Sequence, residues 1–114
     1  MRKILSVLVV FMISFLSNAQ AKKYVTFQAE IANRNGDSVF IRANKKIIKK
    51  IAVNKNGVFK DTMNVSEGPY LLYDGVEYTS LYLKNGYDLK LKMDAKKFDE
   101  SIVYTGKGSL ENNY

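Results

Sequence analysis

The chain has 114 residues, 46% of them hydrophobic, with 18 basic and 11 acidic side chains for a net charge of +7. That length allows one small domain at most. With no cysteine and no histidine, disulfides, thiol nucleophiles, the commonest general base and the commonest transition-metal ligands are all excluded from these residues.

Met1-Arg2-Lys3 is a positive start, and Ile4 to Leu16 (ILSVLVVFMISFL) is a run of 13 apolar residues. Ser17-Asn18-Ala19-Gln20-Ala21 follows, with small residues ahead of Lys22-Lys23. This is the order of a secretory signal peptide over residues 1–21, cleaved after Ala21, with Ala19 as the alternative. A membrane anchor is the rival, but 13 residues rise about 20 Å as a helix, short of the roughly 30 Å hydrocarbon core. The expectation is a soluble mature protein in the bacterial periplasm or cell envelope. It would have 16 basic and 11 acidic groups once Arg2 and Lys3 are removed. Fifteen lysines against three arginines, with ten asparagines, read as the signature of an AT-rich genome.

From Val25 onward the pattern has period two. Val25 to Ile31 alternates strictly between apolar and polar residues, as a half-buried strand requires. Ser38 to Ala43, Ile47 to Val53, Val58 to Val65, Tyr70 to Tyr73, Tyr78 to Lys84 and Tyr87 to Asp94 are further strands, with a short eighth at 102–104. Asn35-Gly36, Asn56-Gly57, Asp74-Gly75 and Asn85-Gly86 fall between these runs. Such pairs tolerate positive φ and read as hairpin turns, so mostly antiparallel neighbours are expected. Ala95 to Glu100 is a weak helical turn.

Seven or eight short strands joined by hairpins predict an all-β fold, a small antiparallel β-sandwich over residues 22–106. A membrane barrel is the competitor, but lysines interrupt both faces of Ile47 to Val53, where a barrel needs an outward apolar band. Beyond the strands, Ser109-Leu110-Glu111-Asn112 reads as the start of a helix. Ser109 is suited to cap it and Glu111 to meet its dipole.

The eleven carboxylates are scattered over turns and outward strand positions, among them Asp37, Asp61, Asp74, Asp88 and Asp94, and nothing pairs two of them across a cleft. No phosphate-cradling glycine loop occurs. No catalytic, cofactor-binding or metal-binding residue is assigned, no cofactor is implied, and the chain reads as a non-enzyme. The basic run Lys45-Lys46-Ile47-Ile48-Lys49-Lys50 has two readings: contact with an anionic surface, or protection of an exposed strand edge, the latter favoured. Export argues against nucleic acid. Tyrosines crowd one region; Tyr73, Tyr78 and Tyr82 are the candidate binding surface for glycan or peptide, against the plainer reading as cross-strand pairs. Met63 and Met93 read as core fillers rather than copper ligands.

The stretches FQAEIANRNGDSVFI, KNGVFKDTMNV, EGPYLLYDG and LYLKNGYDLKLKMDAKKFDESIVYTGKGSLENNY together resemble a known pattern. It is the N-terminal β-domain that precedes the thioredoxin-like module in TlpA/ResA-type envelope thiol-disulfide oxidoreductases. The resemblance covers about residues 24–114. It implies that Asn112-Asn113-Tyr114 begins a helical connector, residues 107–114, leading to a downstream thioredoxin-like domain whose Cys-x-x-Cys does the redox work. It also implies that these residues are the front piece of a longer protein. That activity falls on no residue here. The expected function is a non-catalytic module that positions the redox domain or recognises a partner protein. A stand-alone periplasmic binding module for glycan or peptide is the alternative.

Overall fold

The computed structural model describes residues 22–113. The expected signal segment with Ala19 and Ala21, and Tyr114 at the other end, lie outside the described residues. Eight strands follow in order: β1 (Val25–Ala32), β2 (Ser38–Ala43), β3 (Lys46–Ala52), β4 (Val58–Met63), β5 (Gly68–Tyr73), β6 (Tyr78–Leu83), β7 (Asp88–Asp94) and β8 (Val103–Lys107). A 3-10 turn at Ala95–Lys97 and a one-turn helix α1 (Phe98–Ser101) link β7 to β8, and a second turn, α2 (Ser109–Asn112), follows β8. Every strand expected from the sequence is present.

The strands form two four-stranded sheets, β4-β1-β7-β8 and β3-β2-β5-β6. The alternation decides which face each buries. Val25, Phe27, Ala29 and Ile31 of β1 point inward, as do Leu89, Leu91 and Met93 of β7; Val39, Ile41, Leu72, Leu81 and Leu83 answer them from the other sheet. Phe59 and Phe98 complete the core, and Met63 and Met93 are buried within it. The result is a small all-β sandwich, antiparallel except where β1 runs beside β7 in parallel.

The turn dipeptides divide in a way the sequence does not foretell. Only Asp74-Gly75 closes a hairpin within one sheet, joining β5 to β6 with Tyr73 opposite Tyr78. Asn35-Gly36, Asn56-Gly57 and Asn85-Gly86 each lie where the chain passes from one sheet to the other. The second hairpin, β2 to β3, turns at Asn44-Lys45 with Ala43 opposite Lys46, and Asn44 supplies a positive φ of 57°. Asparagine tolerates this left-handed conformation better than other side chains, because its short amide bonds locally.

Two polar links tie the sheets, one at a loop end and one between strands. The buried Asp74 carboxylate accepts from the Val76 and Glu77 N–H groups at 2.9 and 2.7 Å, which holds its own turn. Its other oxygen accepts from Asn35 Nδ2 at 2.8 Å, which ties the β1–β2 crossover to that turn. On the long side, Lys49 of β3 pairs with Asp61 of β4 at 3.3 Å, beside a single bridge between Val53 and Phe59.

Replacing Asn44 tests the unforeseen hairpin. Asn44→Val places a β-branched residue at positive φ and is expected to lower stability by about 1–2 kcal/mol, whereas Asn44→Gly stays within about 0.5 kcal/mol. Urea unfolding of the two variants measures the difference.

Candidate functional site

The two outer faces differ in chemistry. On the β4-β1-β7-β8 sheet the outward positions are mostly polar, including Gln28, Glu30, Lys60, Lys90 and Lys92, with Val103 an exposed apolar exception and Lys92 Nζ 3.8 Å from the Glu30 carboxylate. The outward positions of the β3-β2-β5-β6 sheet carry Phe40, Leu71, Tyr73, Tyr78 and Tyr82, since the residues alternating with them are buried. This aromatic face is the candidate interaction surface.

All three candidate tyrosines lie on it. Tyr73 and Tyr78 are direct cross-strand partners, and Tyr73 also meets Phe40 with ring centroids 6.1 Å apart. Tyr82 lies further along β6 opposite Pro69. Two of the hydroxyls are committed internally: Tyr73 donates to the Gly75 carbonyl at 2.8 Å, and Tyr82 to the Glu67 carboxylate at 2.7 Å. That bond holds the Tyr82 phenol above its ordinary pKa, because ionising it would set two negative charges in contact. Tyr78 is 64% exposed and presents an open ring. Tyr70, on the inward side of β5, packs against the core, and Tyr82 also reaches it from its own strand, so of the three candidates Tyr73 and Tyr78 form the open part of the face.

The second site is a seam that the sequence reading missed. β6 and β8 are each one of the two free edges of their sheet, and α2 lies across the gap between them. Asn112 turns its side-chain amide onto β6, with Oδ1 accepting from the Tyr82 N–H at 2.8 Å and Nδ2 donating to the Tyr82 carbonyl at 2.9 Å. Asn113 does the same on β8, accepting from the Tyr104 N–H at 3.0 Å and donating to its carbonyl at 2.7 Å. Each side chain thus supplies the donor and acceptor that one residue of a further strand would offer. Tyr82 faces Pro69 across the β5–β6 pair, a register where no N–H is needed from the proline.

Ser109 does not cap α2. It is the first helical residue, and the cap position is Gly108 with φ 104° and no side-chain cap bond. A serine there is excluded by crowding as well as by φ, because a Cβ on Gly108 would collide with the Tyr87 ring beneath. Burial pushes the Tyr87 hydroxyl up to about 12, the Glu111 carboxylate adding to it. Burial alone pushes Tyr104 up to about 12. A cleft of about 570 Å³ lies along this seam, bordered by Ser80, Tyr82, Tyr104 and the two asparagines.

Several carboxylates have structural partners. Arg34 lies 3.6 Å from Asp37 and Lys49 holds Asp61. Asp94 caps the 3-10 turn through the Lys96 N–H and receives Asn33 Nδ2; the Asn33 bond, then the Lys96 N–H, keeps its pKa below the ordinary value. The lysine-rich β3 is an edge strand, where charged side chains discourage pairing with other chains. Among the described residues no helix is long and apolar enough to cross a membrane. No family model, curated protein or solved structure matches the chain.

The clamps give the first expectation here. Asn112→Ala and Asn113→Ala each cost about 1–2 kcal/mol, and hydrogen exchange speeds at the Tyr82 amide in the first and the Tyr104 amide in the second. The second concerns alkali. The folded pKa of Tyr87 and Tyr104, about 12 for each, lies above the unfolded value of roughly 10. Their contribution is therefore complete below about pH 10 and is lost as pH rises through about 12. Thermal unfolding across that window is expected to show falling stability, with a shallower slope in Tyr104→Phe.

Proposed function

We propose that the sandwich is the non-catalytic N-terminal module of an exported thioredoxin-family protein, and that it sets the position of a redox domain following α2. The observation that carries this reading is the pair of asparagine clamps. They fix α2 to both sheets at once, so a chain continuing from it would leave in one direction rather than swing. Leu110 on the same turn is 84% exposed, an apolar side chain placed to pack against what comes next. The resemblance of Tyr104-Thr105-Gly106 through Asn112-Asn113 to the oxidoreductase connector supports it independently of the geometry.

The alternative is a periplasmic binding module for glycan or peptide. One observation favours it: Tyr78, with Tyr73 beside it, offers an aromatic platform of the kind that stacks on sugars or partner side chains.

Joining residues 22–114 to a Cys-x-x-Cys thioredoxin-like domain tests the first reading. Reduction of a protein disulfide is expected to differ several-fold from that by the redox domain alone, with a small-molecule disulfide unaffected. Asn112→Ala together with Asn113→Ala returns the rate to that of the isolated domain. Equal rates for every substrate would refute the positioning role. For the alternative, chemical-shift changes at Tyr73, Tyr78 and Tyr82 on titration with envelope glycans are the expected sign.

A further inference from the structure

Edge protection explains the lysines of β3 and leaves its isoleucines unexplained. Ile47 and Ile48 are 52% and 38% exposed, on the edge strand where bare apolar side chains invite pairing with other chains. Their exposure comes from the register. Ile41 pairs with Lys49 but Arg42 with Ile47, so Ile48 is an extra residue in a bulge. The bulge interrupts the alternation that would otherwise send every second side chain of β3 into the core.

The charges around the isoleucines are divided between two tasks. Lys49 is half-buried and serves the seam through Asp61, at 3.3 Å. Lys45 and Lys46 are exposed at the tip of the β2–β3 hairpin and Lys50 further along the β3 edge, opposite Phe40, and none has a salt-bridge partner among the described residues. Phe40, opposite Lys50 on the neighbouring strand, extends the apolar surface toward Tyr73. Two bare aliphatic side chains flanked by three free ammonium groups along the β3 edge complement a surface that is negative outside and apolar just beneath. A soluble polyanion would need the lysines alone.

We propose that the β2–β3 hairpin docks on a bilayer of anionic phospholipid through its tip and the free edge of β3. Lys45, Lys46 and Lys50 meet headgroup phosphates while Ile47 and Ile48 enter the headgroup–acyl boundary. Lysine stems suit this arrangement, since they lie along apolar surface while the charge stays in water. The opposite sheet, mostly polar on its outer face, turns to solvent. This role is independent of any redox partner, because α2 leaves from the β6–β8 seam, whereas the hairpin belongs to the β3 edge.

The test uses the chain from Lys22. It holds every element of the sandwich and omits the apolar run Ile4 to Leu16, which would itself partition into lipid. Co-sedimentation is measured with vesicles of phosphatidylcholine alone and of phosphatidylcholine mixed with phosphatidylglycerol. Binding is expected to the mixed vesicles only, and to fall in about 1 M salt, where the screening length is about 3 Å. Lys45→Gln, Lys46→Gln and Lys50→Gln together are expected to weaken it by about a hundredfold, at roughly fivefold per lysine. Ile47→Ser with Ile48→Ser is expected to weaken it by at least about tenfold. Because the chain has no tryptophan, Ile48→Trp provides a single fluorophore whose emission shifts to the blue on the mixed vesicles. Equal binding to both vesicle types overturns the proposal. So does an isoleucine double variant that binds as tightly as the parent, which would mark the lysines as a site for soluble polyanions. An unshifted Ile48→Trp emission in the bound state overturns it too.

Discussion

A sandwich of two open sheets has four free edges, and its stability as one body depends on what closes the two seams between them. Here no disulfide is available to do it. One seam is closed by an ion pair and a backbone bridge, the other by side chains that imitate backbone. On one side, the Lys49–Asp61 pair and the Val53–Phe59 bridge join β3 to β4. On the other, Asn112 and Asn113 span β6 and β8. The second closure is the more demanding, because each amide must satisfy an N–H and a carbonyl at the same strand residue. A one-turn helix with no propensity to stand alone is thereby held in place by the edges it covers.

Much of the architecture was legible because alternation carries it. The run Val25 to Ile31 specifies both a strand and the face it buries, and the same holds for Asp88 to Asp94. The turns were less legible for a definite reason. Asn35-Gly36 and Asp74-Gly75 share a tolerance for tight local geometry, but that says nothing about which sheet the next strand joins. Asp74-Gly75 returns the chain beside itself, whereas Asn35-Gly36 sends it across the core. The parallel contact between β1 and β7 lies beyond local reading altogether, since more than fifty residues separate Ala32 from Asp88 and only the closed core brings them together. Asn44-Lys45 was overlooked because Asn44 provides its positive φ without a glycine neighbour to mark it.

The candidate sites follow the same division. That Tyr73, Tyr78 and Tyr82 share a face follows from period two and hairpin register, both readable locally. That Tyr70 and Tyr87 turn inward follows from the same alternation, Tyr70 with Leu72 and Tyr87 with Leu89, but that Gly108 lies against the Tyr87 ring depends on a contact supplied from afar. The asparagines were the larger omission. Read as a trait of composition, they prove to be local and long-range connectors: Asn54 receives two backbone N–H groups in its turn, Asn85 ties Val65 and Asn64, and Asn35 reaches Asp74. An amide offers both a donor and an acceptor without a charge to desolvate, so it can bridge half-buried edges where a carboxylate or an ammonium would serve only one partner.

That chemistry also explains why Ser109 could not do what its position suggested. A capping serine satisfies one free N–H at the start of a helix and contributes nothing across the seam. The seam instead requires the helix to begin one residue after a glycine that lies flat on Tyr87, bringing Asn112 and Asn113 to the two edges. Helix initiation is therefore subordinate to the spacing of the clamps. The short run from Gly108 to Asn113 is better understood as a closure of the sandwich, made in helical form, than as a helix whose local sequence called for it.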